Sequence, residues 1–220
     1  MLLVPEQLYT KPLLENGDHL NRLEFESRYE KLPNLKKIEL IEGVVYMGSP
    51  VRITQHGRPH SRIMLWLGTY QFAMPGTDLG DNCSVRLDMD NEPQPDALLR
   101  WEDGNSTIDE EGYLVGAPEL IVEIAASSQS YDLHSKKSLY RRHGVQEYLV
   151  WRINDQALDW FELQHGQYQR RTPDEHGVIA SKRFSGLWLH VSALLADDMK
   201  MVMATLQVGL GDMTANQKAR

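Results

Sequence analysis

Two carboxylates and one lysine have the residue types and positions that metal-dependent hydrolysis requires. Asp96 follows Pro95 at the start of a short apolar run, Glu123 lies near the end of a later apolar run, and Lys136 follows in the next segment. Neighbouring strands that carry one carboxylate each can present both to one hard cation, which prefers oxygen ligands and keeps several waters. The pattern predicts a site for Mg²⁺ or Mn²⁺, at which the lysine would orient a water or stabilise charge on a phosphate.

Each of these three residues also has a purely structural interpretation. Asp96 after a proline fits the end of a turn, and Glu123 fits a buried ion pair with a lysine or an arginine. Asp132 and Lys136 are four residues apart, so a salt bridge along one helix would explain the lysine without catalysis. The order strand, strand, helix across all three favours the metal site.

The elements that must position these residues alternate between strand-like and helix-like patterns. Glu119–Ile124 is apolar apart from its charged Glu119 and Glu123, which is typical of a central strand buried on both faces. Ser130–His143 predicts a helix that ends at Gly144. The other predicted elements are a helix over 18–32 that ends at Pro33, a hairpin over 37–47, a helix over 56–72, a half-buried strand over 85–89, a short run over 96–99, strands over 147–153 and 157–163, β-like pieces over 167–171 and 183–190, and a closing helix over 191–209. This order predicts an α/β (α+β) domain, in which a mixed β-sheet is flanked by helices.

The length of 220 residues favours one domain with additions over two domains. We predict an N-terminal helical extension over 1–36 that packs on the core, a core domain over 37–209 and a C-terminal tail over 210–220. The closing helix carries an apolar stripe that would either cover the sheet or serve a homodimer. The residues of this stripe are Leu194, Leu195, Met201, Val202 and Leu206.

Composition and charge exclude several classes of protein. The chain has 23 Lys and Arg against 31 Asp and Glu, so with a net charge of −8 it would need a local basic surface to bind a phosphate backbone. Cys83 is the only cysteine, which excludes an internal disulfide and agrees with a cytoplasmic location. No apolar run approaches the roughly 20 residues that cross a bilayer, the first ten residues lack a signal-peptide pattern, and no glycine-rich phosphate loop indicates a nucleotide cofactor.

Short motifs occur in a fixed order over roughly residues 39–195. They are Glu39–Gly43, His60, Pro95–Asp96, Ala117–Glu123, Asp132, Lys136, Tyr140 and Gly144–Tyr148. This succession resembles the Uma2 family, formerly named DUF820, which is placed in the PD-(D/E)XK restriction-endonuclease-like superfamily. Each motif is weak by itself, whereas the combination is specific.

The resemblance implies a restriction-endonuclease-like core and metal-dependent hydrolysis of phosphodiester bonds. It implies that Asp96 and Glu123 bind Mg²⁺ or Mn²⁺, that the Ile124 carbonyl is a further ligand, and that Glu39 is an auxiliary acid. The superfamily's usual lysine would stand two residues after the second acid, where this chain has Ala125.

Lys136 is therefore the catalytic lysine that the resemblance implies, displaced onto the following helix, with Lys137 as a substitute. Tyr140, four residues after Lys136, would pack against the sheet or hold the lysine in place. His60 matches a histidine of the family, and we expect a hydrogen-bonded structural role for it. Lys136, Lys137, Arg141 and Arg142 form a basic cluster that would meet a phosphate backbone or lie in solvent.

The leading hypothesis is a cytoplasmic endonuclease that depends on Mg²⁺ or Mn²⁺ and acts on nucleic acid, with DNA favoured. An alternative is a catalytically inactive nuclease fold that serves as a binding module, for which the acidic balance and the missing lysine at position 125 argue. A third is a metal-dependent hydrolase of smaller phosphoesters, which an acidic surface would suit. We expect no membrane partner.

Overall fold

A six-stranded mixed sheet lies at the centre of the protein. The computed structural model describes residues 13–32, 34, 37–48, 51–126 and 129–218, the last six as backbone only. From one edge of the sheet to the other, the strands are β11 (Gln167–Arg171), β10 (Ala157–Gln164), β9 (Glu147–Arg152), β8 (Leu120–Ala125), β5 (Ala97–Trp101) and β3 (Thr77–Asp81). β8 and β9 are parallel, and the other neighbours are antiparallel. The mixed sheet with flanking helices confirms the predicted fold class.

Helices cover both faces of this sheet. One face packs against α2 (Arg58–Ala73), α5 (Val191–Leu195) and α6 (Met199–Lys218), together with the hairpin β12 (Val178–Ala180) and β13 (Trp188–His190). The other face packs against a helix that consists of α3 (Gln129–Tyr131), a π-helical turn (Asp132–Lys136) and α4 (Lys137–His143). Among the described residues, no helix is long and apolar enough to span a membrane.

The central strand β8 divides its side chains between these two layers. Leu120, Val122 and Ile124 belong to the core beneath α2 and α6, whereas Ile121 and Ala125 belong to the core beneath α4. Because side chains alternate along a strand, Glu123 points with Ile121 and Ala125 toward α4. The apolar pattern of this strand, interrupted by one acid, thus directs a carboxylate into the α4 layer.

A smaller layer lies beside the end of the sheet. α1 (Arg22–Tyr29) packs on the hairpin β1 (Ile38–Ile41) and β2 (Val44–Met47), whose turn residues Glu42 and Gly43 both have positive φ, as a tight hairpin turn requires. Leu40 and Glu92 exchange two backbone hydrogen bonds of 3.1 and 2.8 Å. This bridge fixes β1 beside the segment that leads into Asp96. A second small sheet consists of β4 (Val85–Arg86), β7 (Leu114–Val115) and β6 (Thr107–Ile108).

Four predicted elements differ from the structure. The β-like piece over 183–190 is limited to Trp188–His190. The closing helix is two helices, and the second continues through the predicted tail to Lys218, because Leu206 and the buried Leu210 keep the apolar face at helical spacing. The half-buried strand over 85–89 is limited to Val85–Arg86, because the N–H groups of the next two residues bond to Asn91 in a turn. The first helix begins later, at Arg22, where the Asn21 side chain caps it. Pro33, expected to end this helix, lies outside the described residues.

The apolar stripe of the closing helix covers the sheet. Leu194, Val202 and Leu206 are fully buried in the core beneath α6, whereas Met201 is 46% exposed. The stripe therefore packs on the sheet, which was the first of its two interpretations. The boundaries of the predicted extension and core stay predictions.

Gly209 permits α6 to approach the loop before β13. A Cβ at this position would lie 2.5 Å from the Gly186 carbonyl oxygen and 2.7 Å from Trp188 Cγ, whereas a Cβ on Gly211 would have no neighbour within 4 Å. Gly209→Ala should therefore lower the free energy of unfolding by roughly 1–3 kcal/mol, because backbone must shift. Gly211→Ala should raise it by roughly 0.5–1 kcal/mol. Urea unfolding of both variants measures these effects, and equal effects would contradict the close contact.

Candidate active site

Asp96 and Glu123 occupy adjacent positions on the face of the sheet that packs against α4. Ala97 of β5 is paired with Val122 of β8. Asp96 and Glu123 are the next residues along these two antiparallel strands, so they lie opposite each other. Each residue is 2% exposed, and both line a cavity of about 780 Å³. The strand pairing thus brings the two predicted carboxylates together in one cavity.

Lys136 projects from the π-helical turn against these acids. Its Nζ lies 2.9 Å from Glu123 Oε1 and 2.7 Å from Glu39 Oε1. Asp132 Oδ1 lies 4.0 Å away, so the salt bridge predicted along the helix is at most a weak addition. The ammonium is buried, and carboxylates from three separate segments surround it.

Tyr140 fixes the same carboxylate from the next turn of the helix. Its hydroxyl donates to Glu123 Oε1 over 2.9 Å, so the tyrosine contacts the acid itself and not the lysine. Lys136 and Tyr140 are four residues apart and therefore share one face of the helix. Within the described residues, the other oxygen, Glu123 Oε2, accepts no hydrogen bond.

Asp96 has partners that the sequence analysis missed. Lys37 Nζ donates to Asp96 Oδ1 over 2.7 Å, His56 Nε2 lies 3.0 Å from the same oxygen, and the backbone N–H of Ile124 donates to Oδ2 over 2.7 Å. Two signals pointed to these residues. Lys37 precedes Glu39 by two positions and so lies on the same side of the strand, and His56 precedes the motif histidine by four positions.

His60 contacts the backbone near Asp96. Its Nε2 lies 2.9 Å from the Asp96 carbonyl oxygen and 3.1 Å from Asp81 Oδ1. These contacts join α2 to the end of β3 and the start of β5, in agreement with the structural role expected for this histidine.

Lys137, the substitute lysine, and the two arginines of the basic cluster lie outside the cavity that Asp96 and Glu123 line. Lys137 Nζ lies 3.5 Å from the centre of the Phe161 ring, outside the cavity lining. Arg141 donates to the Gly166 carbonyl oxygen, and Arg142 pairs with Glu42. Of the two candidate lysines, only Lys136 contacts the acids.

The charges of the cavity shift the pKa values of its residues. Burial and the neighbouring acids raise the pKa of Glu123 to about 8, against the opposing charge of Lys136. Burial lowers the pKa of Lys136, but the carboxylates of Glu123, Glu39 and Asp132 outweigh burial and hold that pKa well above its ordinary value. Burial raises the pKa of Asp96, yet the hydrogen bond from His56 and the charge of Lys37 outweigh it and keep the pKa well below its usual range.

The donor set of the cavity suits a hard divalent cation. Four carboxylates face three cationic side chains there, which leaves an excess of one negative charge when all seven groups are ionised; these are Glu39, Asp96, Glu123, Asp132, Lys37, Lys136 and Arg52. Across the described parts of the chain, no three His, Cys, Asp or Glu side chains converge into a ready-made metal cluster. A cation would therefore take two carboxylates, a backbone carbonyl and several waters, a combination typical of Mg²⁺.

A mixed sheet flanked by helices is the architecture of the restriction-endonuclease-like fold. The model of the Uma2 family, described as "Putative restriction endonuclease", matches residues 24–192. The chain belongs to this family, which confirms the resemblance found in the sequence.

Solved structures support the same fold. The protein is similar to a crystal structure described as a putative nuclease belonging to DUF820 from Anabaena variabilis, with a TM-score of 0.61 and 16% sequence identity. The similarity covers 77% of this chain and 96% of that chain. Comparison with curated proteins gives no match.

Removing Lys136 should destabilise the metal-free protein strongly. Lys136→Met leaves Glu123, Glu39 and Asp132 close together without their cation, so we expect a loss of roughly 3–5 kcal/mol in the free energy of unfolding. Lys137→Met is the matched control, because it removes an adjacent charge that lies over the Phe161 ring outside the cavity lining, and it should cost less than about 1 kcal/mol. Urea unfolding in the presence of a chelator measures both changes. Equal losses would contradict the central position of Lys136.

Proposed function

We propose that this protein is an endonuclease of the PD-(D/E)XK type, which depends on Mg²⁺ or Mn²⁺ and hydrolyses phosphodiester bonds of nucleic acid, with DNA as the favoured substrate. The observation that carries the proposal is the convergence of Glu39, Asp96, Glu123 and Lys136 from four segments of the chain in one cavity. Membership of a family described as restriction endonucleases supports the nuclease class.

Asp96, Glu123 and the Ile124 carbonyl are the proposed ligands of the metal ion. When bound, a divalent ion lowers the pKa of a water and neutralises charge on the phosphate. The protein keeps its ligands oriented before any ion arrives: Tyr140 holds one oxygen of Glu123, and the Ile124 N–H holds one oxygen of Asp96. Such fixed partners improve a metal site because the ligands need not reorganise.

Lys136 is proposed to act as a hydrogen-bond donor and a positive charge. Three carboxylates surround its ammonium, so it keeps its proton and is unsuited to act as a base. It would direct a lone pair of the attacking water toward the phosphorus and stabilise the charge that develops on the phosphate oxygens. Glu39 accepts from the Gln94 N–H and from Lys136, so it positions the lysine.

The cytoplasmic location and the homodimer stay predictions. The single cysteine supports a reducing compartment. The apolar stripe gives the homodimer little support, since most of it is buried within this chain.

A second candidate function is binding without catalysis. For this function, the engagement of Arg141 and Arg142 within the molecule favours a partner without a long phosphate backbone, because little of the predicted basic cluster is left free. Metal-dependent turnover separates the two candidates.

The test is cleavage of supercoiled plasmid, single-stranded DNA and RNA in Mg²⁺ or Mn²⁺. We expect the wild type to cut at least one of these, and Glu123→Gln and Asp96→Asn to cut it roughly 100-fold or more slowly, since each removes a charge next to the reacting phosphate. Glu162→Gln, purified identically, is the control: this acid pairs with Arg171 at the other edge of the sheet. Equal cleavage by wild type and Glu123→Gln would identify a contaminant, and no cleavage by the wild type would favour the binding module.

A further inference from the structure

Lys37 forms an ion pair with Asp96, one of the two acids that would hold a metal ion. Its ammonium is 2.7 Å from Asp96 Oδ1, while the other oxygen of this carboxylate is already held by the Ile124 N–H. His56 lies on the same side, 3.0 Å from Oδ1. A cation that binds Oδ1 must therefore come close to the lysine.

The two lysines of the cavity differ in their freedom to move. The Lys136 side chain is 3% exposed and contacts Glu39 and Glu123, so it is confined. The Lys37 side chain is 29% exposed, and Asp96 is its only close acidic partner within the described residues. Lys37 lies on the hairpin side of the cavity, and its four-carbon stem allows the ammonium to leave Asp96.

An ammonium and a divalent cation cannot share one carboxylate oxygen without strong repulsion. Like charges a few ångströms apart in a partly buried site repel strongly. Binding of the ion therefore favours the arrangement in which Lys37 lies away from Asp96. Lys37 keeps its charge in both arrangements, so no proton is gained or lost.

We propose that Lys37 is a displaceable counter-ion, which neutralises Asp96 in the metal-free protein and moves to a phosphate of the nucleic acid when the metal ion binds. This inference rests on the proposed function, and it adds a positioning residue and a coupling between metal and substrate. When no nucleic acid is present, Lys37 stays on Asp96 and weakens binding of the metal ion. When a phosphate of the nucleic acid accepts Lys37, the metal ion binds more tightly. Because coupling between two ligands is reciprocal, metal must increase affinity for nucleic acid by the same factor.

The first measurement is calorimetry with Mn²⁺ in the absence of nucleic acid. Lys37→Gln should bind Mn²⁺ about tenfold more tightly than the wild type, which corresponds to about 1.4 kcal/mol. Lys37→Arg keeps the charge and should retain wild-type affinity. Arg52→Gln is the matched control, because Arg52 lines the same cavity but bonds to Gln55 and not to Asp96. It removes an equal charge and should change the affinity less than threefold.

The second measurement is fluorescence anisotropy of a labelled DNA oligonucleotide in Ca²⁺, a hard cation with the same preference for oxygen ligands. With saturating Ca²⁺, Lys37→Gln should bind the oligonucleotide about tenfold more weakly than the wild type. In a chelator the two proteins should differ less than threefold, since Lys37 then remains on Asp96. Thermal unfolding of each variant without metal verifies that it is folded.

The outcomes separate failure of this inference from failure of the proposed function. If Asp96→Asn removes Mn²⁺ binding but Lys37→Gln leaves it unchanged or weaker, the metal site stands and the displacement is wrong. If Arg52→Gln tightens Mn²⁺ binding as much as Lys37→Gln, the effect is general electrostatics and the displacement is again wrong. If neither wild type nor Lys37→Gln binds Mn²⁺, both proposals are wrong.

Discussion

A single buried ammonium makes the arrangement of acids in this protein possible. Glu39, Glu123 and Asp132 stand around Lys136 with their side chains almost fully buried, and carboxylates at such distances repel one another. The lysine offsets part of that repulsion, while burial and the neighbouring acids still raise the pKa of Glu123 above its ordinary value. The ion cluster joins the α4 layer, the β1–β2 hairpin and the sheet, because its members stand on all three.

Backbone pairings in the sheet and at the hairpin bring the residues of that cluster together. Antiparallel pairing of β5 with β8 sets Asp96 beside Glu123 with backbone hydrogen bonds alone. The exchange of hydrogen bonds between Leu40 and Glu92 sets β1 so that Glu39 and Lys37 point into the cavity. Polar residues from distant parts of the sequence thus meet because rigid backbone pairings fix where each side chain begins.

Much of this architecture could be predicted from the sequence because it depends on local patterns. The nearly continuous apolar run of β8 predicts a strand buried on both faces, and Gly144 at φ 83° ends α4 where the sequence indicates. Both acids and Lys136 were identified from residue types in the order strand, strand, helix. Glu39 was identified through the family resemblance.

The features that escaped prediction depend on tertiary contacts. Lys37 and His56 acquire their roles only when the hairpin and the start of α2 close over Asp96. The extent of α6 was underestimated because Gly209 and Gly211 have low helix propensity, whereas the packing of Leu210 outweighs that preference. The π-helical turn has no sequence signal, since it arises from the fit of the whole helix against the sheet.

Lys136 is the last residue of that π-helical turn, so the number of residues between it and Tyr140 is as important as their identity. One residue more or fewer turns everything beyond it by about 100° around the helix axis. Deleting one residue between Lys136 and Tyr140 would rotate one of these two side chains away from Glu123, even though both would still be present. Over evolutionary time, this stretch of the helix should therefore vary in sequence far more readily than in length.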